Sequence, residues 1–138
     1  MVVLYPIKPI YIERILSGEK KCELRKRLPK QSPEFILLYS TWPVKQVVGY
    51  ASILETYNKC VKKLWSQVGS YAGIDEHSYF EYFQNSENAC ALKFDKVYRF
   101  TNPFNLSEIR ENFKAPQSFC YLNNDIFESL KEREAVEV

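Results

Sequence analysis

Pro9-Ile10-Tyr11-Ile12-Glu13-Arg14-Ile15-Leu16-Ser17-Gly18-Glu19-Lys20-Lys21-Cys22-Glu23-Leu24-Arg25 changes its hydrophobic period midway, and that change decides the fold class. Ile12, Ile15 and Leu16 recur at i, i+3 and i+4, the spacing of one buried helical stripe. Pro9 suits the first helical turn, where a missing N–H costs nothing. Gly18 stands where a left-handed residue ends a helix, so the helix closes at Ser17 or Gly18. From Lys20 the period becomes two: Cys22 and Leu24 fall on one face, with Lys21, Glu23 and Arg25 on the other. The expectation is a half-exposed strand with a charged outer face. By the same alternation Lys20 shares the Cys22 face and points into whatever cavity the sheet encloses.

Outward from this segment, the apolar run at residues 2–5 reads as a short strand closed by Pro6 and Pro9. Glu34 to Ser40 is nearly continuously apolar, as in a strand buried on both faces. A longer strand is expected from Lys45 to Tyr57, with Gly49 marking a bulge or a close backbone approach. Asn58 is placed to cap a helix carrying Val61, Leu64, Trp65 and Val68, stopped by Gly69. Asp75 caps a second short helix through Gln84. A strand from Asn88 to Phe100 ends before Pro103, followed by a turn of helix at Ser107 to Arg110. Ala115 to Tyr121 reads as a Pro-led strand, and Asn124 or Asp125 caps a last helix with Ile126, Phe127 and Leu130. The charged tail after Lys131 is expected to fray. Five or six strands among short helices, in a chain too small for a doubly wound parallel sheet, predict an α+β domain with a small curved sheet or barrel.

With 138 residues, 46% of them hydrophobic, the chain can bury a core without staples. Its longest apolar runs, Phe35 to Tyr39 and Val47 to Leu54, are far short of the ~20 residues of a membrane helix. The N-terminus lacks the pattern of a secretory signal, so a cytoplasmic location is expected. Cys22, Cys60, Cys90 and Cys120 are widely spaced and form no Cys-x-x-Cys pair, and His77 is the single histidine. Neither a metal site nor a cofactor is expected, and the cysteines read as buried free thiols. There is no Gly-rich phosphate loop.

A net charge of +2 announces no partner, but its distribution does. Lys20, Lys21, Arg25, Lys26, Arg27 and Lys30 crowd one segment against only Glu19 and Glu23. This is a candidate anion-binding surface, or else a strand edge guarded by charge. As a binding module, the protein would use Lys8, Lys20, Arg25, Lys26 and Arg27 on phosphate. Tyr39, Trp42, Phe119 or Tyr121 would stack on bases, and Ser40, Thr41, Gln117 and Ser118 would read base edges. As an enzyme, it would set Lys20 and Glu23 as an acid/base pair around an amide or a phosphodiester. As an interaction domain, it would dock through the aromatic helix Ser78 to Phe83. Of these, RNA binding accounts for the most unusual segments. The expected signature is that Lys20→Ala with Arg25→Ala weakens RNA binding more than tenfold and leaves stability nearly unchanged.

Ile7-Lys8-Pro9, then Ile15, Gly18, Lys20, Glu23 and Arg25, Tyr39-Ser40-Thr41-x-Pro43, Val48-Gly49, and Ala115-Pro116-Gln117-Ser118-Phe119-x-Tyr121-Leu122 together form an ordered series. It resembles the ASCH domain family of the PUA-like superfamily, from about Leu4 to Leu122. The resemblance implies a small mixed β-barrel with helices over its openings, residues 123–138 packing on the same domain. It also implies a cleft for RNA or a modified nucleobase, with protein partners undefined. One bacterial branch hydrolyses N4-acetylcytidine with a Lys, a Thr and a Glu. Lys20 matches the Lys, Glu23 occupies the position of the Thr, and nothing around Glu76 or Glu81 matches the Glu. Another branch is ribonuclease-like, but this chain has no histidine pair.

Overall fold

The computed structural model describes residues 1–138. Strand β1 (Val2–Ile7) leads into helix α1 (Pro9–Leu16) and strand β2 (Cys22–Arg25). Strands β3 (Phe35–Ser40) and β4 (Gln46–Cys60) follow, then helices α2 (Val61–Val68) and α3 (Glu76–Tyr82). The long strand β5 (Asn88–Phe104), short β6 (Cys120–Leu122), helix α4 (Asn124–Lys131) and strand β7 (Ala135–Glu137) complete the chain. All seven strands join one sheet in the order β2-β5-β4-β3-β1-β6, with β7 added to β5. Only β1 and β3 run parallel.

The centre of the sheet, strands β1 and β3, is buried on both sides, so these strands alternate between two cores rather than between core and water. Val2 and Leu4 join Leu37, Tyr39, Phe100 and Phe127 in one cluster. Val3, Tyr5 and Ile7 join Ile12, Ile15, Ile36 and Leu38 in the other, under α1. The near-continuous apolar run of β3 has this cause. A third cluster sets α2 and α3 over Cys22, Leu24, Ala89 and Ala91.

Curling brings the two ends of the strand order toward each other, making the expected small α+β barrel with an unzipped seam. Strand β6 pairs only with Val2–Leu4, so Tyr5–Ile7 keep an open edge. Across it, Arg25 of β2 donates from Nη2 to the Pro6 carbonyl at 2.7 Å and from Nη1 to the Ser118 carbonyl at 3.4 Å. A side chain closes the barrel where the backbone ladder does not.

Several boundaries differ from expectation for local reasons. β1 passes through Pro6 because its edge there is unpaired and needs no N–H. β5 continues past Pro103 to Phe104, which pairs with Val47 beyond a bulge. Asn58 lies inside β4, and Cys60 takes the N-terminal position of α2 without a side-chain cap. Asp75 does cap α3, accepting from the Ser78 N–H at 2.8 Å. α4 is capped one residue early, by Asn123. Ala115 to Phe119 is irregular, and the strand begins at Cys120. The tail does not fray: Ala135–Glu137 pair with Tyr98–Phe100. Gly49 sits where an added Cβ would lie 2.2 Å from the Tyr98 carbonyl oxygen, the close approach its position foretold. The cysteines are all free, Cys22 and Cys90 buried as expected, Cys120 partly buried and Cys60 exposed. No helix is long and apolar enough to cross a membrane.

Candidate functional site

The seam holds a cleft of about 410 Å³, in the range of small-molecule sites. Pro6, Ile7 and Lys8 supply one wall from the end of β1, and Glu23, Leu24 and Arg25 supply the other from β2. Tyr11 of α1 and Ile74, Ser78, Glu81 and Tyr82, in and just before α3, roof it, with Lys20 inside. A second compartment of about 330 Å³ adjoins it, lined by Arg25, Lys26, Arg27, Tyr82, Gln117 and Ser118.

Lys20 is only 3% exposed. It lies in the α1–β2 connection, its N–H held by the Arg14 carbonyl at 2.9 Å. Its Nζ donates to the Ala72 carbonyl at 2.7 Å and stands 5.3 Å from the centroid of the Tyr11 ring. The covering segment passes close only because Gly73 is glycine: its φ is +64°, and an added Cβ would lie 2.3 Å from Lys20 Cβ. Arg14 fastens the same segment, donating to the Gly73 carbonyl at 2.9 Å. Lys20 therefore occupies a cavity as expected, but strand parity did not put it there, since β2 starts only at Cys22.

Glu23 and Arg25 correct the expectation of a solvated charged face. Glu23 is 5% exposed, and its Oε2 accepts from Arg25 Nε at 3.1 Å and Nη2 at 2.8 Å. The guanidinium also lies 4.6 Å over the Tyr5 ring. The Tyr5 hydroxyl beneath is buried without a hydrogen-bond partner, and burial pushes its pKa far up. Glu23 is thus ion-paired with Arg25 rather than Lys20, whose ammonium is turned to the Ala72 carbonyl, while both side chains line the same cleft. Burial also raises the Tyr82 phenol, against a lowering by Arg25.

Lys8, Lys20, Glu23 and Arg25 are brought together in the deeper compartment, and Lys26, Arg27, Gln117 and Ser118 in the outer one. Tyr39, Ser40, Thr41, Trp42, Phe119 and Tyr121 line neither. Tyr39 and Ser40 are consumed by the core, Thr41 is half-buried and its N–H is bonded to the Ile7 carbonyl, and Trp42 stands in solvent. Phe119 packs on Tyr5, and Tyr121 packs on Phe119 and accepts from the Gln31 N–H. Of the α3 rings proposed for docking, Tyr79 and Phe83 are buried and Phe80 is partly buried, so only Tyr82 is exposed there.

Sequence reasoning missed Tyr11, Ser78, Glu81 and Tyr82. Ser78, Glu81 and Tyr82 are spaced three and one apart, a stripe alongside the buried Tyr79–Phe83 stripe, and that spacing was the available signal. His77 lies outside the cleft, 3.4 Å from Glu81. No three His, Cys, Asp or Glu side chains converge as a metal-ligand set.

No protein-family model matches the chain. Over 125 residues it is 36% identical to an ASCH domain-containing ribonuclease of Zymomonas mobilis, covering 88% of this chain and 84% of that protein. The crystal structure of ASCH from Zymomonas mobilis superposes with a TM-score of 0.85 at 33% identity, over 94% of this chain and 93% of the other. The N-terminal domain of Staphylothermus marinus McrB has a TM-score of 0.63 at 11% identity, covering 96% of this chain and 94% of that one, a likeness of fold alone.

Proposed function

This chain belongs to the ASCH domain family, and from that premise we propose that it binds RNA in the seam cleft. The observation that carries the reading is convergence. Lys8, the Lys20–Arg27 segment and Gln117–Ser118, far apart in sequence, meet on one concavity with an aromatic roof. Cations place a phosphodiester chain, while aromatic rings and hydrogen-bonding groups engage unstacked bases, as in single-stranded RNA recognition. A fluorescence-anisotropy titration with short single- and double-stranded RNA at low and physiological salt tests it. Saturable single-strand binding that weakens with salt is expected. No saturable binding at low salt refutes the proposal.

Phosphodiester cleavage is the second reading, favoured by the name of the Zymomonas relative and by the buried Lys20 ammonium. RNA carries its own nucleophile in the 2′-hydroxyl, so a protein serine, cysteine or histidine is not required. What the site must supply is a cation beside the phosphate and groups to move a proton. Incubation with end-labelled RNA should then give 2′,3′-cyclic phosphate ends, lost in Lys20→Met. Intact RNA after prolonged incubation leaves the protein as a binder.

A further inference from the structure

The cleft is divided by charge. Its deep compartment mixes donors and acceptors, with Lys20, Ser78 and Tyr11 near the carboxylates of Glu23 and Glu81. Its outer compartment holds Lys26 and Arg27 beside Gln117 and Ser118 and contains no carboxylate. Lys26 and Arg27 are exposed, and neither is engaged in an ion pair. Arg25 and Tyr82 line both compartments. Arg25 is the less able phosphate ligand of the three cations. Its charge is matched by Glu23, and most of its N–H donors are engaged by Glu23, Pro6 and Ser118.

Resting on the RNA-binding reading above, the geometry points to two subsites for one nucleotide: the deep compartment takes the nucleoside, and Lys26 and Arg27 in the outer compartment take the phosphate attached to it. Mixed donors and acceptors between apolar walls suit a base and a ribose. Paired free cations with amide and hydroxyl donors and no competing carboxylate suit a phosphate. Tyr82 stands at the junction, its ring 5.3 Å from Lys26 Nζ. The ligand's smallest recognised unit is then a nucleotide, and a free nucleoside leaves the outer cations unused.

Calorimetric titrations of adenosine, cytidine, guanosine and uridine against their 3′- and 5′-monophosphates test this on wild type and on Lys26→Ala/Arg27→Ala. At least one monophosphate should bind ten or more times tighter than its nucleoside, its 3′ or 5′ position giving the strand direction. In the double variant that ratio should fall to near one, with nucleoside affinity and Tm unchanged, both substituted residues being exposed. Titrated in parallel, short single-stranded RNA should lose about 0.7 from its salt slope, the loss of one phosphate contact. RNA binding by wild type with a slope the double variant leaves unchanged, or equal binding of nucleosides and monophosphates, overturns the subsites while the RNA reading stands. Absence of RNA binding by wild type overturns both.

Discussion

Arg25→Ala is expected to lower Tm by about 10–17 °C, as the loss of the clasp across the barrel seam. Side-chain exposure is 16% for Arg25 and 7% for Glu23, so the pair is screened from water. Removing the guanidinium strips Glu23 of both its hydrogen bonds and also frees the Pro6 and Ser118 carbonyls. Deleting one partner of such a buried pair costs about 3–5 kcal/mol, because the other charge is left uncompensated. An unfolding entropy of about 2.1 cal/mol/K per residue gives about 0.29 kcal/mol/K for 138 residues, hence the shift stated. The assay is thermal unfolding at neutral pH by circular dichroism. Glu23→Gln added to Arg25→Ala removes the stranded charge and should restore about 1–2 kcal/mol. A single-variant drop below about 3 °C, or a double variant no more stable than the single, refutes the clasp. The consequence for binding work is direct. The sequence-based expectation that Lys20→Ala with Arg25→Ala leaves stability nearly unchanged does not hold, so lost RNA binding in that variant would not isolate a ligand contact.

Tyr82→Ala should weaken single-stranded RNA binding about 5- to 150-fold, the cost of a lost stacking ring. Tyr82 is 39% exposed and its ring packs against Phe83 at the cleft edge, so Tm should fall far less than in Arg25→Ala, and unchanged affinity in the same anisotropy titration removes it from the site. Gly73→Ala should cost stability through its left-handed φ and also displace Lys20, so RNA affinity should fall more than in a Gly18→Ala control, where an added Cβ meets nothing. Equal affinities in the two variants would show that the Gly73–Lys20 contact is irrelevant to binding. At pH 8 a thiol reagent should modify Cys60 rapidly and Cys22 only on unfolding, because burial pushes the Cys22 thiol up to about 12. The unfolded thiol ionises near its ordinary value of 9.0 while the native one keeps its proton, so this group's contribution to stability falls as pH rises from 9 toward 12. A denaturant midpoint in Cys22→Ser with the same decline over that range would assign it to other groups.

The elements with strong local periodicity were readable along the chain. The stripe at Ile12, Ile15 and Leu16, the stripe from Val61 to Val68 and the unbroken apolar run of β3 each needed only nearest neighbours in sequence. Glycine was equally legible: Gly18 adopts φ +86°, and Gly49 meets another backbone, because both conditions exclude side chains whatever the surroundings. Boundaries at proline were less legible. Pro6 and Pro103 break a strand only where a partner needs their N–H, and partnership is not a local property.

The candidate site divides along the same line. The sequence by itself determined which segment would be cationic, and the family resemblance set Lys8, Lys20, Glu23 and Arg25 in one series with Gln117 and Ser118; the alternation that pointed Lys20 into a cavity belonged to a strand that starts only at Cys22. Only the tertiary structure decided that Glu23 answers Arg25 rather than Lys20. Arg25 can reach Pro6 and Ser118, distant in sequence, only when the sheet curls, and Ala72 meets Lys20 only when the segment before α3 folds over it. The same curling consumes Tyr39 and Ser40 in the core and brings Tyr82, a helix residue with no motif of its own, to the mouth of the cleft. Period and composition report what a residue's neighbours along the chain impose. Charge pairing and pocket membership depend on neighbours across the barrel seam, which no spacing in the sequence encodes.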